Sequence, residues 1–199
     1  MRDTFVKTGE TAALVEYLKV VPSKAIAREL TIFRKVLRAG TPEEQTDAVD
    51  AIAYSDHPRV RRALINLLEN TTAPLEVRDR AAEMLHLQSG RATAEACVRA
   101  LKDPTPSIRF WAAYSLGQIA YWRGELRQAA AAALQHVLDD KAIAPGWWSV
   151  GREAQAIIVG LRDIAGERER LQETIRIIQN DPNASTEEKK WAEHYAAGG

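Results

Sequence analysis

Cysteine is almost missing from this chain of 199 residues: Cys97 stands alone. One thiol excludes a disulfide framework and a cysteine-rich zinc site. Net charge is missing as well, because Lys plus Arg and Asp plus Glu both come to 27. A protein that works by neutralising phosphates usually carries a basic excess. Only a mild local bias exists, with 8 basic and 4 acidic residues over 1–40. No apolar run approaches the ~18 residues of a membrane span. The opening MRDTFVKTGETAALVEYLKV also lacks the apolar core of an export signal. These absences predict a cytoplasmic protein with no membrane and no nucleic-acid partner.

Catalytic fingerprints are missing too. His57, His86, His136 and His194 form no HExxH or other metal-spaced pair. His86 with Glu83 reads as a solvated pair, and Cys97 as a small core residue beside Ala94, Val98 and Leu101. Phosphate-loop, dinucleotide and Gly-x-Ser-x-Gly patterns are absent. The expectation is a non-catalytic protein without metal or cofactor.

What is present is helix. Ala, Leu, Arg, Glu and Gln dominate, and apolar residues recur every three or four positions. Pro22, Pro42, Pro58, Pro74, Pro104, Pro106, Pro145 and Pro182 precede or open such runs rather than interrupt them. Proline in a first helical turn sacrifices no hydrogen bond, so these positions mark helix starts. Gly40 and Gly90 mark ends. The spacing predicts helices over 10–20, 24–39, 42–55, 57–70, 74–88, 91–102, 105–122, 125–140, 146–164, 167–179 and 185–197. Ser185 with Glu188 forms a capping-box pattern for the last. The short joins force antiparallel packing of neighbours.

The helices repeat. Val77, Arg78, Ala81, Ala82 and Leu85 return 31 residues later as Ile108, Arg109, Ala112, Ala113 and Leu116. A looser copy holds Ala48, Val49 and Ile52, and a longer one Val150, Ala154 and Ile158. Self-similarity at this period means stacked helical pairs.

The segment 101–119, with Asp103, Ile108, Arg109, Ala112, Ala113, Leu116 and Gly117, resembles a HEAT repeat of the bacterial phycobilisome-lyase-like type. The resemblance is strong over 57–120 and extends over 24–164. It implies an all-α, right-handed α-solenoid of antiparallel helix pairs, with about five repeats. Residues 1–23 and 165–199 would cap repeats 24–164 within a single domain. In that family the turn Asp and the helix Arg build a ladder between repeats. Asp103 and Arg109 match both positions and Arg78 matches the Arg, while Thr72 stands where the earlier Asp would be.

On a helical wheel, Ile108, Ala112, Leu116 and Ile119 form the packed face of 105–122. Phe110, Tyr114, Gly117 and Tyr121 lie opposite, where such a stack has its concave surface. The same projection presents Thr46 and Asp50, then Asp79, Glu83 and His86, and later Arg152, Ala156, Val159 and Asp163. The expected groove is acidic at one end and aromatic in the middle. Asp50, Asp79, Glu83, Phe110, Tyr114, Tyr121 and Arg152 are its candidate binding residues. The longer join Asp139–Trp148 adds Trp147 and Trp148, as a staple over the helix entrance or as a binding element. Trp122 and Trp191 read as packing residues.

The functional expectation is a scaffold module holding a protein or peptide, with Lys or Arg facing the groove's acids. The resemblance also suggests a bilin-lyase-like subunit, in which the aromatics stack a flat pigment. HEAT-like DNA-binding proteins resemble the chain as well, but carry a basic groove. Pairing of the aromatic face with a copy of itself would account for the same residues as a homodimer.

Overall fold

A computed structural model describes residues 10–22, 24–162 and 165–197. Among them are eleven α-helices: α1 Thr11–Val20, α2 Leu30–Ala39, α3 Pro42–Ala53, α4 Pro58–Glu69, α5 Leu75–Met84, α6 Arg91–Ala100, α7 Pro106–Trp122, α8 Arg127–Gln135, α9 Val150–Arg162, α10 Ala165–Asn180 and α11 Thr186–Ala196. No strand occurs among the described residues beyond one isolated bridge, Ile143 with Ser149. The chain is therefore all-α, as expected. Among the described residues no helix is long and apolar enough to cross a membrane.

Local chemistry sets the boundaries. Pro42, Pro58 and Pro106 open α3, α4 and α7 in their first turns. Thr41 with Glu44, and Ser185 with Glu188, form complete capping boxes. Each satisfies two backbone N–H groups that a helix start would otherwise leave orphaned.

The chain divides into two compact units, Met1–Thr93 and Ala94–Gly199. In the first, α1, α3 and α5 pack side by side, α2 lies against α1 and α3, and α4 against α3 and α5. Two layers of helices result, with Leu14, Leu18, Phe33, Val49, Ile52, Leu64, Leu68 and Leu85 buried in this unit. In the second, α7 packs on α9, α8 against both, and α10 pairs with α11. The close approach of α7 to α9 depends on Gly117. A Cβ there would stand 2.6 Å from Ile157 Cγ2.

Several boundaries depart from expectation. The run over 24–39 splits into a 3-10 turn, Ile26–Arg28, and α2. The helix expected over 125–140 stops at Gln135. The next begins at Val150, four residues later than expected, because Pro145 opens a turn and not a helix. Pro145 and Gly146 form the centre of that turn. Gly146 has φ 81° and the Trp147 N–H donates to the Ala144 carbonyl at 2.9 Å. This is the type II arrangement that Pro-Gly favours. Further backbone bonds, Ala144 to Trp148, Val150 to Ala142 and Gly151 to Asp140, zip the loop into a ribbon. Gly151 is required there, since a Cβ would fall 2.2 Å from the Leu138 carbonyl oxygen.

Candidate functional site

The repeated Arg of the Val/Ile-Arg signature has the same backbone task in both copies. Arg78 donates from Nε to the Leu68 carbonyl in the last turn of α4. Arg109 donates from Nη1 to the carbonyls of Asp103 and Pro104. Each guanidinium thereby satisfies carbonyls left over where the preceding helix ends. Arg109 reaches Asp103 through its backbone carbonyl and takes Asp140 as its carboxylate, at 2.7 and 3.2 Å. The Asp103 carboxylate accepts from the Thr105 N–H at 2.9 Å. Leu138-Asp139-Asp140 matches Leu101-Lys102-Asp103 in register, so the bond joins a repeat to the turn of its successor. Burial opposes the charge on Asp140. The Arg109 guanidinium and the Ala142 N–H outweigh it and hold the carboxyl below its ordinary range.

The candidate acids of the first unit are not an open negative surface. Arg80 lies between Asp50 and Glu83, at 2.5 and 2.7 Å from the Asp50 oxygens and 2.8 Å from Glu83. The Asp50 hydrogen bond is the main reason the guanidinium is pushed above its ordinary value. Periodicity puts Asp50 and Glu83 on one face, and Arg80 from α5 bridges them across the α3–α5 contact and offsets part of their charge. Asp79 is half-buried on the same helix. His86 Nδ1 lies 2.6 Å from the Glu83 carbonyl oxygen.

In the second unit the aromatics gather at the Pro-Gly ribbon. Phe110 is 1% exposed and is a core residue, not a groove anchor. Its wheel position opposite Ile108 was read correctly, but the ribbon folds over that face. Trp147 stacks on Phe110 with centroids 5.6 Å apart, and Trp148 meets it edge-on at 6.0 Å. Trp111, which the wheel assigned no role, lies edge-on to Phe110, Tyr114 and Trp147 at 5.3–5.8 Å. Trp148 is buried, whereas Trp147 keeps 37% of its surface exposed. Trp111 and Tyr114 are half-buried. The result is a shelf: the exposed Trp147 indole packs on half-buried Trp111 and on a buried floor of Phe110 and Trp148, with Tyr114 beside Trp111.

Beneath the shelf is a group that the sequence did not flag. Glu153, on α9, is 2% exposed. It accepts from Trp148 Nε1 at 2.8 Å and from the Tyr195 hydroxyl at 3.1 Å. Burial pushes its carboxyl up to about 7, against the pull of those two donors. Burial and the neighbouring carboxylate push the Tyr195 phenol well above its ordinary value. Trp148 also contacts the rings of His194 and Tyr195. The only hint in the sequence is an acid in the otherwise apolar face of Val150, Ala154 and Ile158.

Arg152, expected in the groove, is half-buried against α11. Its guanidinium lies over the Trp191 ring at 5.1 Å and 3.4 Å from Glu188, while Trp191 Nε1 donates to its carbonyl. Ala156 is buried with Leu171, Ile175, Ile178 and Trp191, and Val159 packs against that cluster. Trp191 is thus a packing residue, as read. Asp163 falls outside the described residues. Trp122 was read as packing but is 75% exposed, and Tyr121 beside it is 57% exposed. They form an edge-on pair at the free end of α7, with Arg127 over the Tyr121 ring at 5.9 Å. Cys97 is wholly buried, and burial pushes its thiol up to about 12.

A family model described as HEAT repeats matches residues 72–145. That stretch includes both copies of the Val/Ile-Arg signature and the Arg109–Asp140 bond. The match supports a HEAT-repeat protein. No curated protein matches the chain.

Proposed function

We propose that the chain is a non-catalytic interaction module that takes a protein or peptide partner on the aromatic shelf of its second unit. The observation that carries this reading is Trp147. A large ring stays substantially exposed although it is held by three neighbouring rings and by a hydrogen-bonded ribbon. A pre-positioned indole gives contact area at small entropic cost, and Trp is among the residues that dominate interface energies. The repeat match supports the reading, since stacked helical pairs fix a shape on which such a surface can be carried. Trp147 with Trp111 and Tyr114 suits an apolar side chain or a Lys or Arg cation laid on a ring face. Asp50 and Glu83 contribute less than composition suggested, because Arg80 already offsets part of their charge.

The test is affinity capture with wild type and Trp147→Ala side by side, after circular dichroism establishes that the two melt alike. Loss of one partner in the variant alone supports the shelf. Equal capture overturns it. Sedimentation of both proteins reads whether the occupant is a second copy of the chain.

A further inference from the structure

A second surface, in the first unit, has the opposite chemistry. The 3-10 turn Ile26–Arg28 and α2 face α4 across a cleft of about 480 Å³. Its walls carry four arginines: Arg28 and Arg34 on one side, Arg59 and Arg62 on the other. No carboxylate lines it. The rest of the lining falls into two kinds. Leu30, Phe33 and Leu67 form an apolar floor, and Thr31, Asn66 and Asn70 add hydrogen-bonding groups along the walls.

These arginines contrast with seven others that are ion-paired. Arg61, Arg80, Arg109, Arg123, Arg152, Arg162 and Arg176 each hold a carboxylate. Arg28, Arg34, Arg59 and Arg62 form no ion pair with any described residue, and all four are exposed. On α4 the polar residues Arg59, Arg62 and Asn66 recur at intervals of three and four, so they stand in one row along the helix, and Asn70 caps its C-terminal end. Like charges placed together without counter-ions cost stability. Within a chain of zero net charge, this concentration of unmatched guanidinium groups is a local feature, and it singles out the ligand's sign.

We propose that this cleft binds an acidic polypeptide segment, with carboxylates on the four guanidiniums and apolar side chains on the Leu30–Phe33–Leu67 floor. Guanidinium presents a planar fork that matches a carboxylate with two hydrogen bonds. The Asn66 amide offers a donor and an acceptor, which is what a peptide backbone needs, and Asn70 adds an amide donor, its Oδ1 already accepting from Thr72. A nucleic-acid backbone would use the guanidiniums but leave the apolar floor without a partner, and the chain as a whole has no basic excess to attract it. This site goes beyond the aromatic shelf and stands or falls separately from it, since all of its residues lie in the first unit.

The experiment uses the full chain and two fluorescein-labelled peptides, one alternating Glu with Leu and one repeating Glu-Glu-Leu-Leu. Lysine-for-glutamate peptides and single-stranded DNA are the comparison probes. The result expected is anisotropy-detected binding of at least one acidic peptide, weakened about tenfold or more by Arg59→Glu with Arg62→Glu, and weakened by salt. Both positions are exposed, and matching melts establish that the double variant folds. Trp147→Ala is expected to bind the acidic peptide as wild type does, which separates failure of this site from failure of the shelf. The proposal is overturned if neither acidic peptide binds, if the double variant binds equally well, or if DNA binds and the acidic peptides do not displace it.

Discussion

Trp148 and Glu153 are joined by a 2.8 Å hydrogen bond inside the second unit, and the bond ties the Pro-Gly ribbon to helix α9. Tyr195 donates to the same carboxylate oxygen from α11. One buried carboxyl therefore links three separate segments of chain. Its state should govern how firmly the shelf is held.

Glu153 should make the unit less stable as pH rises. Its folded value of about 7 is above the ordinary value of 4.5, so between these limits the unfolded chain releases a proton that the folded chain retains. Stability then falls with increasing pH over that window, by about 3 kcal/mol in total, and levels off above it. Urea midpoints for wild type and Glu153→Gln should diverge progressively from pH 5 to pH 7.5 (roughly the window set by linkage), with the variant relatively more stable at the upper end. A constant difference across that range would remove Glu153 from the explanation.

Trp148→Phe keeps most of the ring volume but removes the indole donor. The loss should be about 1–3 kcal/mol in urea unfolding, the usual cost of depriving a buried polar group of its partner. Repeating the substitution in the Glu153→Gln background should give a smaller loss, because a neutral amide suffers less from a missing donor. Additive losses would mean that the bond does not couple the two residues.

Asp140→Ala leaves the largely buried Arg109 guanidinium without its carboxylate. The expected cost is about 3 kcal/mol. The wild-type contribution has the opposite pH sign to that of Glu153. The Asp140 value is depressed, so the stabilisation is present above the ordinary aspartate range and is lost as pH falls through the folded value. The wild-type advantage over Asp140→Ala should shrink in acid, and a gap that widens instead would contradict the ion pair.

Gly117→Ala should destabilise by about 1–3 kcal/mol through overpacking. The new methyl would meet Ile157 Cγ2 at 2.6 Å, and a β-branched side chain has little freedom to turn aside. Truncating Ile157 to Ala should abolish most of that penalty. If Gly117→Ala costs the same in both backgrounds, the close approach of α7 and α9 does not depend on this glycine.

The helices themselves were legible because their signals are local. Pro42, Pro58 and Pro106 open helices where expected, and the Ser185–Glu188 box closes as its spacing implied. The repeat was legible because Val77-Arg78 and Ile108-Arg109 serve the same packing and carbonyl-satisfying tasks. The same local logic failed at Pro145. There the Pro-Gly dipeptide was a turn signal, and the apolar pattern beyond it was read one turn too early.

The candidate site was only half legible. A helical wheel fixes the direction in which Phe110 points, and α7 does present it away from Ile108. It cannot say that a loop from beyond Gln135 returns to cover Phe110 and leaves Trp147 as the exposed ring. Nor can it say that Arg80 bridges Asp50 across to Glu83, or that Arg152 lies over the Trp191 ring. The sequence by itself determined where helices start, stop and repeat, because capping and periodicity act within a few residues. Only the tertiary structure decided which aromatics are exposed and which charges are matched. Burial and ion pairing are settled by segments distant in the chain, and those distances obey no short-range pattern.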